Sequence, residues 1–174
     1  MFTKNYISWQ KAAFINKNTS VTDISGASKN VYISHMGAVS GTAIGYHMSR
    51  PTLSRSNGLI FGTGSTPATE NNYSLENQIT TGLTFTSGSV NFFQVSDGKY
   101  LAKVSHILTN TSGSEINIYE IGVVGQCYLG TGSGSSTIDV LFERTVLTEP
   151  ITIQPGESKL VTYEIAFNHV LTLE

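Results

Sequence analysis

Residues 141–167 read LFERTVLTEPITIQPGESKLVTYEIAF, and this stretch decides the fold class. Alternation of apolar and polar residues predicts strands at 141–147, 151–153 and 159–167, separated by a break at Pro150 and by a Pro155-Gly156 turn. Successive side chains of a strand point to opposite faces, so the last strand should present one apolar face to a core, formed by Val161, Tyr163, Ile165 and Phe167. The stretch therefore predicts part of a β-sandwich sheet.

The rest of the chain repeats this pattern of short apolar runs and turn residues. Further strands are predicted at 21–24, 31–34, 43–48, 59–61, 83–85, 90–95, 100–109, 116–124 and 138–147. Asp97-Gly98 marks a tight hairpin turn, and the Gly/Ser run at 130–136 predicts a flexible hairpin tip. No long helical pattern lies between the strands, so we expect an all-β protein, an antiparallel two-sheet sandwich that is jelly-roll-like or immunoglobulin-like.

A helical pattern occurs once, at residues 5–14, NYISWQKAAF. Tyr6, Trp9 and Phe14 recur close to helical spacing, and Asn5 is placed to cap the helix. We interpret residues 1–174 as one sandwich domain with residues 1–18 as a helical arm. A helix this short must dock on something, either on one end of its own sandwich or on a neighbouring subunit. In the second case these three aromatic residues would bind a partner.

Composition restricts the partners. Only 13% of residues are charged and the formal net charge is -2, which argues against nucleic acid and membrane surfaces as partners. The N-terminus lacks a signal-peptide pattern, and no apolar run approaches about 18 residues, so we expect synthesis in a cytosol and no membrane span. An uncharged surface rich in Ser, Thr and Asn suits permanent contacts with other chains.

The sequence contains no recognisable catalytic, cofactor or metal motif. The four histidines are far apart, and His106 lies on an apolar strand face, where a hydrogen-bonded core or interface residue is expected rather than a ligand. The Gly-rich segment at 62–67 lacks the third glycine of a dinucleotide fingerprint and the lysine of a P-loop. No G-x-S-x-G elbow is present. We therefore predict no catalytic residue, no cofactor and no metal.

One charged pair stands out because both members lie within apolar strand sequence. Glu120 occurs in IYEIG and Arg144 in LFERTVL, where a lone buried charge would be costly. We predict that the two side chains approach each other as a structural ion pair, and a bidentate pair is one geometry that they can adopt. The alternative is that both side chains point to solvent.

The turns and strand ends of the chain resemble those of a family of small tailed-bacteriophage virion proteins. The similar segments lie at 23–26 (DISG), 62–67 (GTGSTP), 73–76 (YSLE), 110–113 (NTSG), 120–122 (EIG), 144–146 (RTV) and 155–163 (PGESKLVTY). The resemblance spans most of the chain, but these segments are features of a fold rather than of a chemistry.

This resemblance implies a structural component of a virion, assembled in the host cytoplasm. A capsid auxiliary or decoration protein is expected, bound to the major capsid protein or to vertex or tail proteins, as a homo-oligomer or in many copies. Besides the helix, the loop at 62–79 would then carry partner contacts through Thr63 and Tyr73. Two alternatives stay open: a receptor- or glycan-binding head-fibre, vertex or tail module, and a virion hydrolase.

Overall fold

The computed structural model describes residues 1–8, 19–31, 58–86, 89–96, 99–131 and 134–168. Residues 4–8 are helical. The described ranges contain nine strands, β1 to β9, with the bounds Thr19–Thr22, Ser28–Val31, Gly58–Gly62, Leu83–Phe85, Ser89–Ser96, Lys99–Asn110, Ile116–Thr131, Gly134–Ile153 and Ser158–Asn168. The prediction of an all-β protein with one short N-terminal helix is confirmed.

The strands form two larger antiparallel sheets and a separate hairpin. The first sheet has the order β3-β7-β8. In the second sheet, β6 lies at the centre, with β4 and β5 along one side and β9 along the other. Strands β1 and β2 pair only with each other among the described residues.

The two larger sheets pack face to face, because one apolar cluster draws buried side chains from both. The first sheet contributes Leu59, Phe61, Ile118, Ile121, Val123 and Ile153, and the second contributes Leu83, Val104, Leu108, Val161 and Ile165. The core face predicted for the last strand is thereby present in β9, where Val161 and Ile165 are buried. Tyr163 is half-buried, with its hydroxyl 2.6 Å from Thr145 Oγ1. The side chain of Phe167 lies outside the described ones.

The opposite face of the first sheet is also covered. The loop after β3 packs on it through a cluster formed by Ile60, Leu75, Val124 and Leu141. The N-terminal helix and β1 instead extend the core side of the first sheet, through a small cluster formed by Val21, Val140 and Phe142, with Tyr6 and Ile138 beside it. The first sheet is therefore enclosed on both faces, whereas the second sheet keeps one exposed face.

The predicted break at Pro150 is wrong, because β8 runs without interruption from Gly134 to Ile153. The ladder with β7 is irregular there: Ile118 pairs with Ile151, whereas Glu120 pairs with Val146. Residues 147–150 thus lie opposite a single residue of β7. Proline has no N–H to donate, and a bulge is a place in a strand where a ladder hydrogen bond from that residue is not required.

Other boundaries differ from the predicted ones. Thr131 pairs with Gly134, so most of the Gly/Ser run at 130–136 lies in the ladder of β7 and β8 and not in a loop. Strand β2 occupies Ser28–Val31, and residues 32–34 of the strand predicted at 31–34 lie outside the described ones; β1 already includes Thr19, where a start at residue 21 was predicted. The predicted strand at 43–48 and the Asp97-Gly98 turn lie outside the described residues.

Candidate functional site

Where the ladder between β7 and β8 is irregular, β7 changes the face that its side chains present, and Glu120 is turned away from the core between the sheets. Ile118 faces that core before the irregularity, and Ile121 and Val123 face it afterwards. Glu120 therefore projects from the other face of the first sheet, beneath the loop at 63–79. Its side chain is fully buried there.

Four donors satisfy the buried carboxylate of Glu120. Oε1 accepts hydrogen bonds from the backbone amides of Gly64 at 3.1 Å and Asn77 at 2.8 Å. Oε2 accepts one from the amide of Glu76 at 3.0 Å and one from Arg144 Nε at 2.7 Å. Because three of the donors belong to the loop backbone, this carboxylate fixes the loop to the sheet.

The ion pair predicted between Glu120 and Arg144 forms, and the alternative in which both side chains face solvent is wrong. Arg144 is 2% exposed and contacts Glu120 through a single nitrogen, so the bidentate geometry is not adopted. Its Nη1 donates to Asn72 Oδ1 at 3.3 Å and its Nη2 to Glu76 Oε2 at 3.4 Å. One guanidinium thus joins the sheet to two points of the loop.

Two glycines let the loop approach Glu120 closely. A Cβ atom on Gly64 would lie 2.6 Å from Glu120 Oε1 and 2.5 Å from Glu76 Cβ, and one on Gly62 would collide with the same Glu120 oxygen. Such separations are far shorter than van der Waals contact. The Gly-rich segment that resembles a phosphate loop is therefore built to fit a carboxylate of its own chain.

A second carboxylate closes the loop on itself. Glu76 Oε1 accepts from Thr66 Oγ1 at 2.6 Å and Oε2 from the Thr66 amide at 2.8 Å. These hydrogen bonds, together with Arg144, lower the pKa of Glu76. Thr63, predicted to bind a partner, is exposed, but its hydroxyl accepts from Asn77 Nδ2 at 2.5 Å.

Tyr73, the other partner-binding residue predicted in this loop, is 43% exposed. Its ring packs against Gly26 at the tip of the β1–β2 hairpin, where an added Cβ would lie 3.2 Å from Tyr73 Cε2. Gly26 has a φ of 87°, a left-handed conformation that glycine adopts without strain. The hairpin tip therefore supports one side of the exposed ring.

An open depression of about 300 Å³ lies beside Tyr73. Arg144 and Leu75 contribute to its buried part, and the remaining lining is mostly polar, from Thr66, Asn71, Asn72, Tyr73, Ser74 and Glu76. Asn71 accepts a hydrogen bond from Lys4 Nζ at 2.7 Å, so the N-terminal helix also borders this surface. The depression is the candidate site of the described residues.

The N-terminal helix begins on its own sandwich. Tyr6 stacks on Phe2, with ring centroids 4.4 Å apart, and meets Phe142 edge-on at 5.9 Å. Its ring is thus engaged by the chain itself, which favours docking on its own sheet over the predicted partner contact. Trp9 and Phe14 lie outside the described residues.

Asn5 does not cap the helix as predicted. It lies inside the helical residues 4–8, and its side chain pairs with the backbone of Thr22 through two hydrogen bonds of 2.8 Å. This amide imitates a strand neighbour along the edge of β1. The sequence around Asn5 contains no pattern that predicts this contact.

His106 lies in the core, but not as a hydrogen-bonded residue. It is 2% exposed, and neither ring nitrogen has a hydrogen-bond partner among the described residues. Burial lowers the pKa of the imidazole, and the neighbouring backbone of Thr86 opposes this only in part. The ring is therefore a neutral core group at pH 7.

Sequence reasoning also missed Asn110, which is fully buried. Its Nδ2 donates to the carbonyls of Ser114 and Ile153, and its Oδ1 accepts from the Ser112 amide and hydroxyl. The N-T-S-G signal predicts this turn, but the contact with β8 comes only from the packed fold.

The described residues hold no group of three or more His, Cys, Asp or Glu side chains arranged to bind a metal ion. None of the helical residues in these ranges forms a segment long and apolar enough to cross a membrane. No family model, curated protein or solved structure matches the chain. The resemblance to virion proteins thus stays a prediction from the sequence.

Proposed function

We propose that the protein is a non-enzymatic structural component of a tailed-phage virion, most simply a capsid auxiliary or decoration protein. It binds the head shell through polar contacts repeated over many copies, so that weak individual contacts add up. The observation that carries this proposal is the composition of the exposed face of the second sheet, called the outer face below.

The outer face carries little charge for a surface exposed to water. Eleven of its side chains are described: Thr84 from β4, Leu101, Lys103, Ser105, Ile107 and Thr109 from β6, and Ser158, Leu160, Thr162, Glu164 and Ala166 from β9. Only Lys103 and Glu164 are charged, and they pair with each other. A sheet face that is exposed to water ordinarily carries more charged side chains than this. The low charge of the outer face therefore favours contact with another protein.

Two large apolar side chains lie opposite each other in the middle of the outer face. Ile107 is 43% exposed and its register partner Leu160 is 69% exposed. Burial of such side chains stabilises an interface by roughly 25 cal/mol for each Å² of apolar area removed from water. This pair is a natural centre for a contact.

The hydroxyl groups around this pair are already hydrogen-bonded across the strands. Ser105 Oγ lies 3.0 Å from Thr162 Oγ1, and Thr109 Oγ1 lies 2.7 Å from Ser158 Oγ. Covering a hydroxyl that keeps such a partner costs less than covering one that loses water without replacement. The outer face therefore suits burial under another protein without new polar contacts at every residue.

The buried polar groups support a non-enzymatic role. Glu120 and Arg144 hold the loop at 63–79 on the first sheet. Asn5 and Asn110 make hydrogen bonds to backbone groups of Thr22 and Ile153. A catalytic site needs polar groups free to meet a substrate. These four side chains are instead bound to the chain itself.

The copy number in purified virions of the encoding phage tests the proposal, measured by quantitative mass spectrometry. On the order of hundreds of copies per particle is expected for a decoration protein, because it covers a repeating shell. About a dozen or fewer would favour the second candidate, a vertex, head-fibre or tail module that binds a receptor or glycan, which the exposed Tyr73 ring supports. Absence from the particle would overturn both.

A further inference from the structure

We propose that the depression beside Tyr73 binds an uncharged saccharide unit. This inference does not rest on the proposed virion role, because it depends only on the groups that line the depression. An exposed aromatic ring offers a flat apolar surface to the C–H face of a sugar ring. Tyr73 is 43% exposed and is supported by Gly26, so little freedom is lost when a ligand stacks on it.

Two side-chain amides line the depression together with Tyr73. Asn72 Oδ1 accepts from the Thr69 amide at 2.7 Å and from Arg144, and Asn71 Oδ1 accepts from Lys4 Nζ at 2.7 Å. Both oxygens are therefore engaged. Neither Nδ2 has a partner among the described residues, so both can donate to a ligand.

An acceptor lies beside these donors. The Glu76 carboxylate is 43% exposed and is oriented by the amide and hydroxyl of Thr66. A sugar hydroxyl both donates and accepts hydrogen bonds, and fixed donors next to a fixed acceptor match that requirement. The carboxylate of Glu76 is therefore already oriented in the protein without a ligand.

The local charge selects an uncharged ligand. Arg144 is the cation that lines the depression, and it already contacts two carboxylates, those of Glu120 and Glu76. Lys4, at the border, pairs with Glu70 at 3.1 Å. An anionic ligand such as a sialylated or sulfated glycan would meet excess negative charge here. A neutral sugar carries no such cost.

The size of the depression limits the ligand to one or two sugar rings. Its volume of about 300 Å³ lies at the lower end of the range for ligand pockets, roughly 300–1,000 Å³. An open site of this size binds one unit weakly, so detection needs several copies of the protein presented together.

The test uses the full chain, biotinylated and presented as a streptavidin tetramer on an array of neutral and acidic oligosaccharides. We expect binding to at least one neutral glycan, and a shift of Asn71 and Asn72 side-chain amide signals when that glycan is titrated into the labelled monomer. No bound neutral glycan, or a preference for acidic glycans, would overturn the proposal.

Variants connect the binding to this depression. Tyr73→Ala and Asn71→Ala should each weaken binding at least about tenfold, whereas Tyr73→Phe keeps the ring and should bind nearly as the natural protein does. Leu160→Ser, on the far sheet, is the matched control and should leave binding unchanged. Thermal unfolding identifies which variants are folded. Unchanged binding in the folded members of the alanine pair would contradict the assignment.

Discussion

At the scale of single residues, the most consequential group is the carboxylate of Glu120. It is fully buried and accepts four hydrogen bonds. Glu120→Gln removes the buried and closer of the two carboxylates that Arg144 contacts, and it turns an acceptor into a donor next to backbone amides. Breaking a buried pair in this way costs about 3–5 kcal/mol. We expect a loss of that size in the free energy of unfolding, measured by urea denaturation.

Glu164→Gln is the matched control for that substitution. Glu164 also pairs with a cation, Lys103, but its side chain is 48% exposed. An exposed pair contributes about 0–1 kcal/mol, so this variant should unfold almost as the natural protein does. Equal effects of the two substitutions would contradict the role given to the buried carboxylate.

His106 makes the stability of the fold depend on pH. Burial lowers the pKa of its imidazole, so the unfolded chain, with a pKa near 6.5, binds a proton more readily than the folded one. Stability is then fully present above about pH 6.5 and is lost as the pH falls toward the lowered pKa, by up to about 1.4 kcal/mol per pH unit.

The comparison of His106→Leu with the natural protein isolates this effect. Urea unfolding at a series of pH values between 7 and 5 should show a smaller pH dependence of the unfolding free energy for the variant, because its unfolded chain has no imidazole at position 106 to take up a proton. The lowered pKa values of Asp23 and Glu76 act in more acidic solution, below about pH 4.5. Identical slopes for the two proteins would rule out a proton uptake at His106.

At the scale of elements, the loop at 63–79 depends on the close approach of its backbone to β7. Gly64→Ala would place a methyl group within 2.6 Å of both Glu120 and Glu76. Atoms at such short separations must move apart, so we expect a loss of about 1–3 kcal/mol in the free energy of unfolding. Chemical denaturation measures it.

Gly113→Ala provides the matched substitution for that loop. A Cβ atom at Gly113 meets no atom within 4 Å, so its effect should stay within about 0.5 kcal/mol of zero. If Gly64→Ala were as harmless as Gly113→Ala, the loop would not be fitted against Glu120 as described.

The elements also separate what the sequence predicts from what only the folded chain reveals. Alternation identified β9 and its core face, because Val161 and Ile165 repeat with the period of a strand. The isolation of two charges in apolar sequence identified the pair of Glu120 and Arg144. Both signals are local in the chain.

The contacts that shape the candidate site are not local. The amides of Gly64 and Asn77 reach Glu120 across 56 and 43 residues, and Tyr73 meets Gly26 from another element. The change of facing in β7 has no residue signature of its own, and Pro150 suggested a strand end where the ladder irregularity that accompanies this change lies. Such features follow from pairing register, which alternation alone does not fix.

At the scale of the whole molecule, the two faces of the sandwich differ. The first sheet is covered on both faces, and the loop at 63–79 with the Tyr73 depression lies on the face that points away from the second sheet. The second sheet leaves its outer face, centred on Ile107 and Leu160, open. One face thus suits attachment to a neighbouring protein while the other stays available to a ligand.

The double substitution Ile107→Lys, Leu160→Lys should separate attachment from folding. Both side chains are exposed, so the free energy of unfolding should change by less than about 1 kcal/mol. A contact that buries the outer face would have to desolvate two added charges, which weakens it strongly. Thr148→Lys, at an exposed position of β8, adds a charge elsewhere and controls for electrostatic effects.

The most direct test of the proposed role uses virions of a phage whose gene for this protein has been deleted. The purified chain is added back to these virions, and the bound copies are counted by quantitative mass spectrometry. The natural protein and Thr148→Lys should bind to saturation, and the double lysine variant at least about tenfold more weakly. Failure of the natural protein to bind, or equal binding by the double variant, would contradict the assignment of the outer face as the attachment surface.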